Sequence, residues 1–152
     1  MAALENQYIF GDLIIYHSSY PGGAEFTAFA DTTRRCLGVY LYSGGMRLIS
    51  PDGDVPWSQV GVFERGWGCG ADVRCQLWAE GAEWLCFSCD NPANKQVEQV
   101  LVGGSYTLPA QVQAVLVAGA VTADGVDYVP VSELRFPEDV VVSGAGTLIL
   151  IR

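Results

Sequence analysis

Four cysteines stand close together in the sequence, Cys69, Cys75, Cys86 and Cys89, and the last two form a C-x-x-C pair. Four thiolates can close a tetrahedral zinc site, so this is the first chemistry the residues offer. Strand geometry opposes it. Alternate side chains of an extended strand point to opposite faces, so Cys86 and Cys89, three apart in Trp84-Leu85-Cys86-Phe87-Ser88-Cys89, diverge unless the chain turns there. Phe87-Ser88 supplies no glycine for such a turn. The expectation is reduced, buried thiols and no bound metal, with these four cysteines as the ligand set of a competing zinc-stabilised reading.

His17 is the single histidine, so any Ser-His or Cys-His mechanism must run through it, and a metal site built on two imidazoles is excluded. In Leu13-Ile14-Ile15-Tyr16-His17 it shares a strand face with Leu13 and Ile15, the place of a histidine at the edge of a core. The seventeen acidic residues leave a two-carboxylate site open, but no spacing in a β-fold reveals one. Gly66-Trp67-Gly68-Cys69-Gly70 is glycine-rich like a phosphate loop. No Lys-Ser or Lys-Thr follows it and no helix begins there, so it reads as a turn that exposes Trp67. No catalytic residue and no cofactor is assigned.

Aromatic faces can stack on sugar rings or anchor protein interfaces. Trp67, in its glycine-flanked loop, and Trp78, on the opposite strand face from Leu77, are the aromatics expected nearest the surface, as interface anchors. The alternative is a carbohydrate- or small-molecule-binding module with Trp67, Trp78 or Tyr106 as its platform.

The elements that must position these residues read as strands. Runs of β-branched and aromatic residues are repeatedly cut by glycine-rich turns, and no window carries a convincing helical period. Asp124-Gly125 is a two-residue hairpin turn that sets Val121 opposite Tyr128. Ser43-Gly44-Gly45 reads as the tip of a second hairpin. Glu80-Gly81 reads as a third, pairing Leu77 with Trp84 and Cys75 with Cys86, positions that would allow a disulfide between those two cysteines. Ser143-Gly144-Ala145-Gly146 reads as a fourth, between Val140–Val142 and Leu148–Ile151. The breaks fall at Pro21-Gly22-Gly23, at Pro51-Asp52-Gly53-Asp54 and at Asp90–Asn94, the last being the longest connection and a site for a short helical turn. Only Asn94–Val100 could pass for helix.

About a dozen short strands in 152 residues fit one all-β domain over 1–152, an antiparallel β-sandwich or jelly roll. Leu148-Ile149-Leu150-Ile151 is apolar at every position, as in a strand buried on both faces. Ile149 and Ile151 are therefore expected at an interface with a second subunit, unless Leu4–Phe10 or Asn94–Val100 covers them within the chain.

Half of the residues are apolar and only 16% are charged, which leaves little charge to cover the surface and suggests a covering partner. With eight Lys and Arg and a formal charge of −9, the chain is a poor ligand for phosphate backbones. Its longest apolar run, Ala114 to Val121, is far below the roughly 18–20 residues of a membrane-spanning helix. The N-terminus has no basic residue before Arg34 and does not read as a secretory signal, so synthesis and residence in a cytoplasm are expected.

Residues 100–152 resemble one half of a cupin-type jelly roll. The likeness rests on Gly104-Ser105-Tyr106-Thr107-Leu108-Pro109-Ala110, a strand to Gly119, the Asp124-Gly125 hairpin, and Phe136-Pro137-Glu138-Asp139 before a valine strand. Enzymatic cupins present His-x-His and a downstream Glu after such a glycine, as metal ligands. The matching stretch here is Ala110-Gln111-Val112-Gln113-Ala114-Val115-Leu116, with no histidine. The resemblance implies a jelly-roll scaffold without metal-dependent activity. The chain is also similar in texture to the small metal-free jelly-roll proteins that decorate phage capsids and tails. The expected function is that of a non-enzymatic structural subunit, which forms a homo-oligomer such as a trimer and binds a larger protein assembly such as a virion.

Overall fold

The computed structural model describes residues 4–23, 25–27, 36–50, 53–65 and 74–152. The chain divides into two compact units, Met1–Ala93 and Asn94–Arg152, which meet in sequence at the Asp90–Asn94 connection. There Pro92–Asn94 forms a single 3-10 turn. Among the described residues the rest of the regular structure is β, as expected, and every pairing between strands is antiparallel. The 3-10 turn ends at Asn94, and the rest of the segment to Val100, expected as the one possible helix, runs into the strand Val97–Leu108. Among the described residues no helix is long and apolar enough to cross a membrane.

The described strands of the first unit form one sheet. It contains β1 (Leu4–Phe10), β2 (Leu13–Tyr20), β3 (Glu25–Thr27), β4 (Cys36–Ser50), β5 (Gly53–Trp57), β6 (Phe63–Glu64) and β7 (Arg74–Ser88), in the order β1-β2-β7-β4-β5, with β3 beside β7 and β6 beside β4. Its frame is the pair β4 and β7, each 15 residues long. The glycines at 44 and 81 are not hairpin tips. Both strands run straight through them and pair with each other on either side: Leu41 faces Trp84, Gly44 faces Ala82, Met46 faces Leu77 and Leu48 faces Cys75. The register shifts between Leu41 and Ser43 and again between Gly44 and Met46, so the ribbon carries bulges there.

The apolar pattern records the bulge. Val39 and Leu41 before it, Met46 and Leu48 after it, all enter the same core cluster, so the inward positions change from odd to even across the bend. On β7 the inward residues change likewise from Leu77 to Ala82, Trp84 and Cys86. The bent ribbon closes on itself around Trp57 and Trp84, whose rings meet edge to face at 6.3 Å, while Tyr20 stacks on Trp84 at 5.4 Å. The expected pairing of Cys75 with Cys86 is corrected by this topology. Cys75 lies opposite Phe26 and Leu48, and Cys86 lies opposite Tyr16 and Val39.

The second unit repeats the device. Its sheet has β8 (Val97–Leu108), β9 (Gln113–Ala123), β10 (Val126–Tyr128), β11 (Ser132–Leu134) and β12 (Val140–Ile151), in the order β10-β9-β12-β8, with β11 beside β9. The Asp124-Gly125 turn is as expected, with φ of 50° and 76° and Val121 opposite Tyr128. The hairpin expected at Ser143–Gly146 is instead the middle of the continuous strand β12, which pairs with β8 from Val140↔Leu108 to Ile151↔Val97. Leu108, Leu116, Leu134, Leu148 and Leu150 fill the core of this unit.

Gly44 and Gly81 show why the bend admits no side chain. Both take positive φ, +73° and +77°, and a Cβ on Gly44 would stand 1.9 Å from the Gly81 carbonyl oxygen. Gly44→Ala should lower stability by at least about 2 kcal/mol, through clash and backbone strain together. Gly11→Ala serves as control: φ is +68° but nothing lies within 4 Å of an added Cβ, so only the strain cost of about 1 kcal/mol applies. Urea denaturation of the three proteins checks the ranking.

Candidate functional site

On the face of the first sheet opposite the Trp57–Trp84 core, four strands bring together the polar side chains that could act chemically. His17 of β2 follows Leu13 and Ile15 on that face, and both of these are fully buried. Glu83 comes from β7, whose adjacent residues Ala82 and Trp84 point into the core behind. His17 Nε2 and Glu83 Oε2 are 2.7 Å apart, an imidazole N–H donating to a carboxylate oxygen. The His17 ring also packs on Tyr42 of β4 at 5.6 Å, and Tyr42 meets Tyr40 edge to face at 5.3 Å. Burial pushes the Tyr42 phenol well above the ordinary tyrosine range, and the acidic groups of Tyr40, Glu83 and Tyr8 add to the effect.

This arrangement sets an imidazole beside a carboxylate. Among the described residues the His17 ring meets Glu83 and Tyr42, not a serine, threonine or cysteine. Nε2, the nitrogen that would relay a proton, is taken up by Glu83. The cluster ties β2, β7 and β4 together at the exposed end of a buried face. Sequence reasoning placed His17 correctly beside Leu13 and Ile15 but missed Glu83, Tyr42 and Tyr8. Nothing in their spacing, 66 residues for His17 and Glu83, signals a contact that depends on the strand order.

A second polar contact lies at the rim of the core on the other face. The Tyr20 hydroxyl donates to Glu5 Oε1 at 2.8 Å across β1 and β2. Burial and this carboxylate together push the phenol from its ordinary 10.0 up to about 12.

Among the described residues no three His, Cys, Asp or Glu side chains are placed to hold a metal. Cys86 and Cys89 are buried, Cys36 is half-buried beside Cys86, and none of the three is in a disulfide. Cys69 and Trp67 lie outside the described residues, and of Cys75 only the backbone is described. In the second unit, Ala114 and Leu116 occupy the inward positions of β9, in the stretch where the cupin resemblance would call for ligand histidines.

The expected surface residues fare unevenly. Trp78 is half-buried and covers Gly45, where a Cβ would come within 2.8 Å of its ring. Tyr106 is half-buried against the core of the second unit. Ile149 and Ile151 are 0% and 6% exposed within the single chain, which corrects their assignment to an intermolecular interface. The large apolar side chains that do stand in solvent are others, Leu101, Ile9, Val129 and Val141 among them.

Two bent antiparallel sheets with apolar interiors define the class: an all-β protein of the cupin-like jelly-roll type. The solved structures that share this fold agree. A cupin 2 conserved barrel domain protein from Leptotrichia buccalis superposes with a TM-score of 0.66 at 12% identity, covering 99% of this chain and 88% of its own. HutD from Pseudomonas fluorescens SBW25 gives 0.61 at 17% identity, over 92% of this chain and 78% of its own. AerE from Microcystis aeruginosa gives 0.56 at 10% identity, over 97% and 91%. At such identities the likeness is one of fold. No protein-family model and no curated protein matches the chain.

Two measurements test the polar contacts. A double-mutant cycle of His17→Gln and Glu83→Gln should give a coupling of about 1 kcal/mol or less, as for other partly exposed pairs. For Tyr20, the folded phenol holds its proton where the unfolded one has lost it. Its contribution is therefore complete below about pH 10 and disappears as the pH rises towards about 12. Tyr20→Phe keeps the ring on Trp84 and removes the titrating group, so urea midpoints should fall less steeply between about pH 9 and about pH 12 than in the parent protein.

Proposed function

We propose that this chain is a non-catalytic interaction protein of cupin-like fold that associates with copies of itself through the open edge of its second sheet. The observation that carries the reading is strand β8. It is 12 residues long, ends the order β10-β9-β12-β8, and has no strand on its far side among the described residues. Leu101 on it is 75% exposed, above every other exposed large apolar side chain described, and Gly103, Gly104, Ser105 and Thr107 are exposed as well. Protected edges carry lysine, proline or inward charges, or are very short. β8 has none of these: Val97-Glu98-Gln99-Val100-Leu101-Val102-Gly103-Gly104-Ser105-Tyr106-Thr107-Leu108 contains one charge and no proline or lysine.

An antiparallel pairing of β8 with β8 of a second copy extends the sheet of each by one strand and covers both Leu101 side chains. Such a contact is isologous and closes as a dimer, whereas the trimer expected from the sequence needs a head-to-tail interface. The apolar interiors, and the lack of histidine in the stretch Ala110–Leu116 that the cupin resemblance matches to ligands, support the non-catalytic part of the reading. A larger protein assembly as the next partner follows from the low charge and acidity of the chain. Its identification with a phage particle rests on that texture alone, and no neighbour described above is a phage protein by its description.

Light scattering behind a sizing column, at tens of micromolar, tests the proposal. The parent protein should elute as a dimer, and Leu101→Lys, at an exposed position, should shift it to monomer with at least about tenfold weaker association, the effect of losing about 1.4 kcal/mol. Its melting temperature should stay within a few degrees of the parent. A monomeric parent, or an unchanged dimer in Leu101→Lys, overturns the proposal.

A further inference from the structure

Two thiols of the first unit lie against each other across the β4·β7 ribbon. Cys36 begins β4, opposite Ser88 of β7, and the register shift between Cys36 and Gly38 places Val39 opposite Cys86. Ser88 and Cys86 are two residues apart on one strand and so share a face. Cys36 packs against the core cluster that contains Cys86, and the two side chains are hydrogen-bonded thiol to thiol. Their exposures differ: Cys86 is 1% exposed, and Cys36 is half-buried at the strand end. The hydrogen bond from Cys86, and a second from the Gly38 backbone, stabilise the Cys36 thiolate and lower its pKa despite the opposing effect of burial.

We infer that Cys36 and Cys86 form an oxidisable pair, in which Cys36 is the residue that meets the oxidant and Cys86 the residue that resolves it. The oxidant is a small hydroperoxide, hydrogen peroxide being the simplest. The Cys36 thiolate attacks one peroxide oxygen, the O–O bond breaks, and hydroxide leaves, giving Cys36 sulfenic acid and, after protonation, one water. The Cys86 sulfur then attacks the sulfenic sulfur, an S–S bond replaces the S–O bond, and a second water leaves with the Cys86 proton. Two thiols are oxidised and one peroxide is reduced to two waters. The product is an intrachain disulfide that joins the start of β4 to β7, and a dithiol reductant returns it to the starting pair.

The assignment differs from the Cys75–Cys86 bridge that hairpin counting suggests, because the register sets Cys75 opposite Leu48. It also separates the pair from Cys89, which is buried and three residues along from Cys86.

The full chain, fully reduced, is treated with a small molar excess of hydrogen peroxide, quenched with a thiol-alkylating reagent and read by intact mass and peptide mapping. The expected result is loss of two alkylatable thiols, with a Cys36–Cys86 cross-linked peptide that disappears on reduction. Cys89→Ser should give the same cross-link. Cys86→Ala should leave Cys36 as a sulfenic acid, captured by a dimedone-type probe. Cys36→Ser should slow thiol loss at least about tenfold, since the remaining partner is buried. A cross-link between any other pair in the parent protein, uniform oxidation of all five cysteines, or undiminished oxidation in Cys36→Ser overturns the inference.

Discussion

The contact on which the first unit depends is that of two backbones with no side chain between them. Gly44 sits on the Gly81 carbonyl, and Gly81 in turn sits against the Tyr20 carbonyl, at separations that no Cβ could enter. Long antiparallel strands twist but do not fold over, and a ribbon of 15-residue strands would leave both faces in water without a corner. The glycines supply the corner, and the bulges beside them turn the inward positions from one parity to the other. Burial of Met46, Leu48 and Leu77 against Leu41, Trp84 and Cys86 then holds the bend. The second unit reaches the same end with Gly119, where a Cβ would stand 2.2 Å from the Ala145 carbonyl oxygen.

Closing a ribbon on itself decides what its inside can be. A corner built from glycine leaves a narrow interior, and here that interior is filled with aliphatic and aromatic side chains in both units. In the second unit the inward residues Ala114 and Leu116 of β9 are part of that apolar packing. The polar clusters stand at the partly exposed margins of buried faces: His17 with Glu83 and Tyr42, Tyr20 with Glu5. Each joins neighbouring strands.

The strand content, the antiparallel pairing, the Asp124-Gly125 turn and the side of β2 on which His17 lies were all legible in the sequence, because each depends on residues a few positions apart. The corners were misread for a physical reason. A hairpin tip and a bulged bend both need glycine at positive φ, so Gly44, Gly81 and Gly144 satisfy either reading. The parity change was the available signal. Leu77 followed by Ala82, Trp84 and Cys86, or Leu41 followed by Met46 and Leu48, is a period-2 pattern that slips by one residue, as a bulge in a continuous strand requires. What sequence could not carry is proximity set by strand order. Glu83 beside His17, and Cys36 beside Cys86, follow only once β2, β7 and β4 are known to be neighbours.

Charge narrows where two copies of so acidic a chain can meet. Each carries a formal −9, and like charges brought together at short range repel with little screening once water is displaced. Association therefore favours the surface with the fewest carboxylates. β8 has one, Glu98, and the Arg152 guanidinium stands 3.8 Å from it, so the strand presents almost no net charge along its length. The opposite end of the same sheet differs, since β10 carries Asp127 beside the acidic turn residue Asp124. Backbone hydrogen bonding drives strand edges together without regard to sequence, and what distinguishes one edge from another is the cost of bringing its side chains into contact. By that measure β8 is the edge of the second sheet at which self-pairing is cheapest, and Leu101 adds apolar area to the same contact.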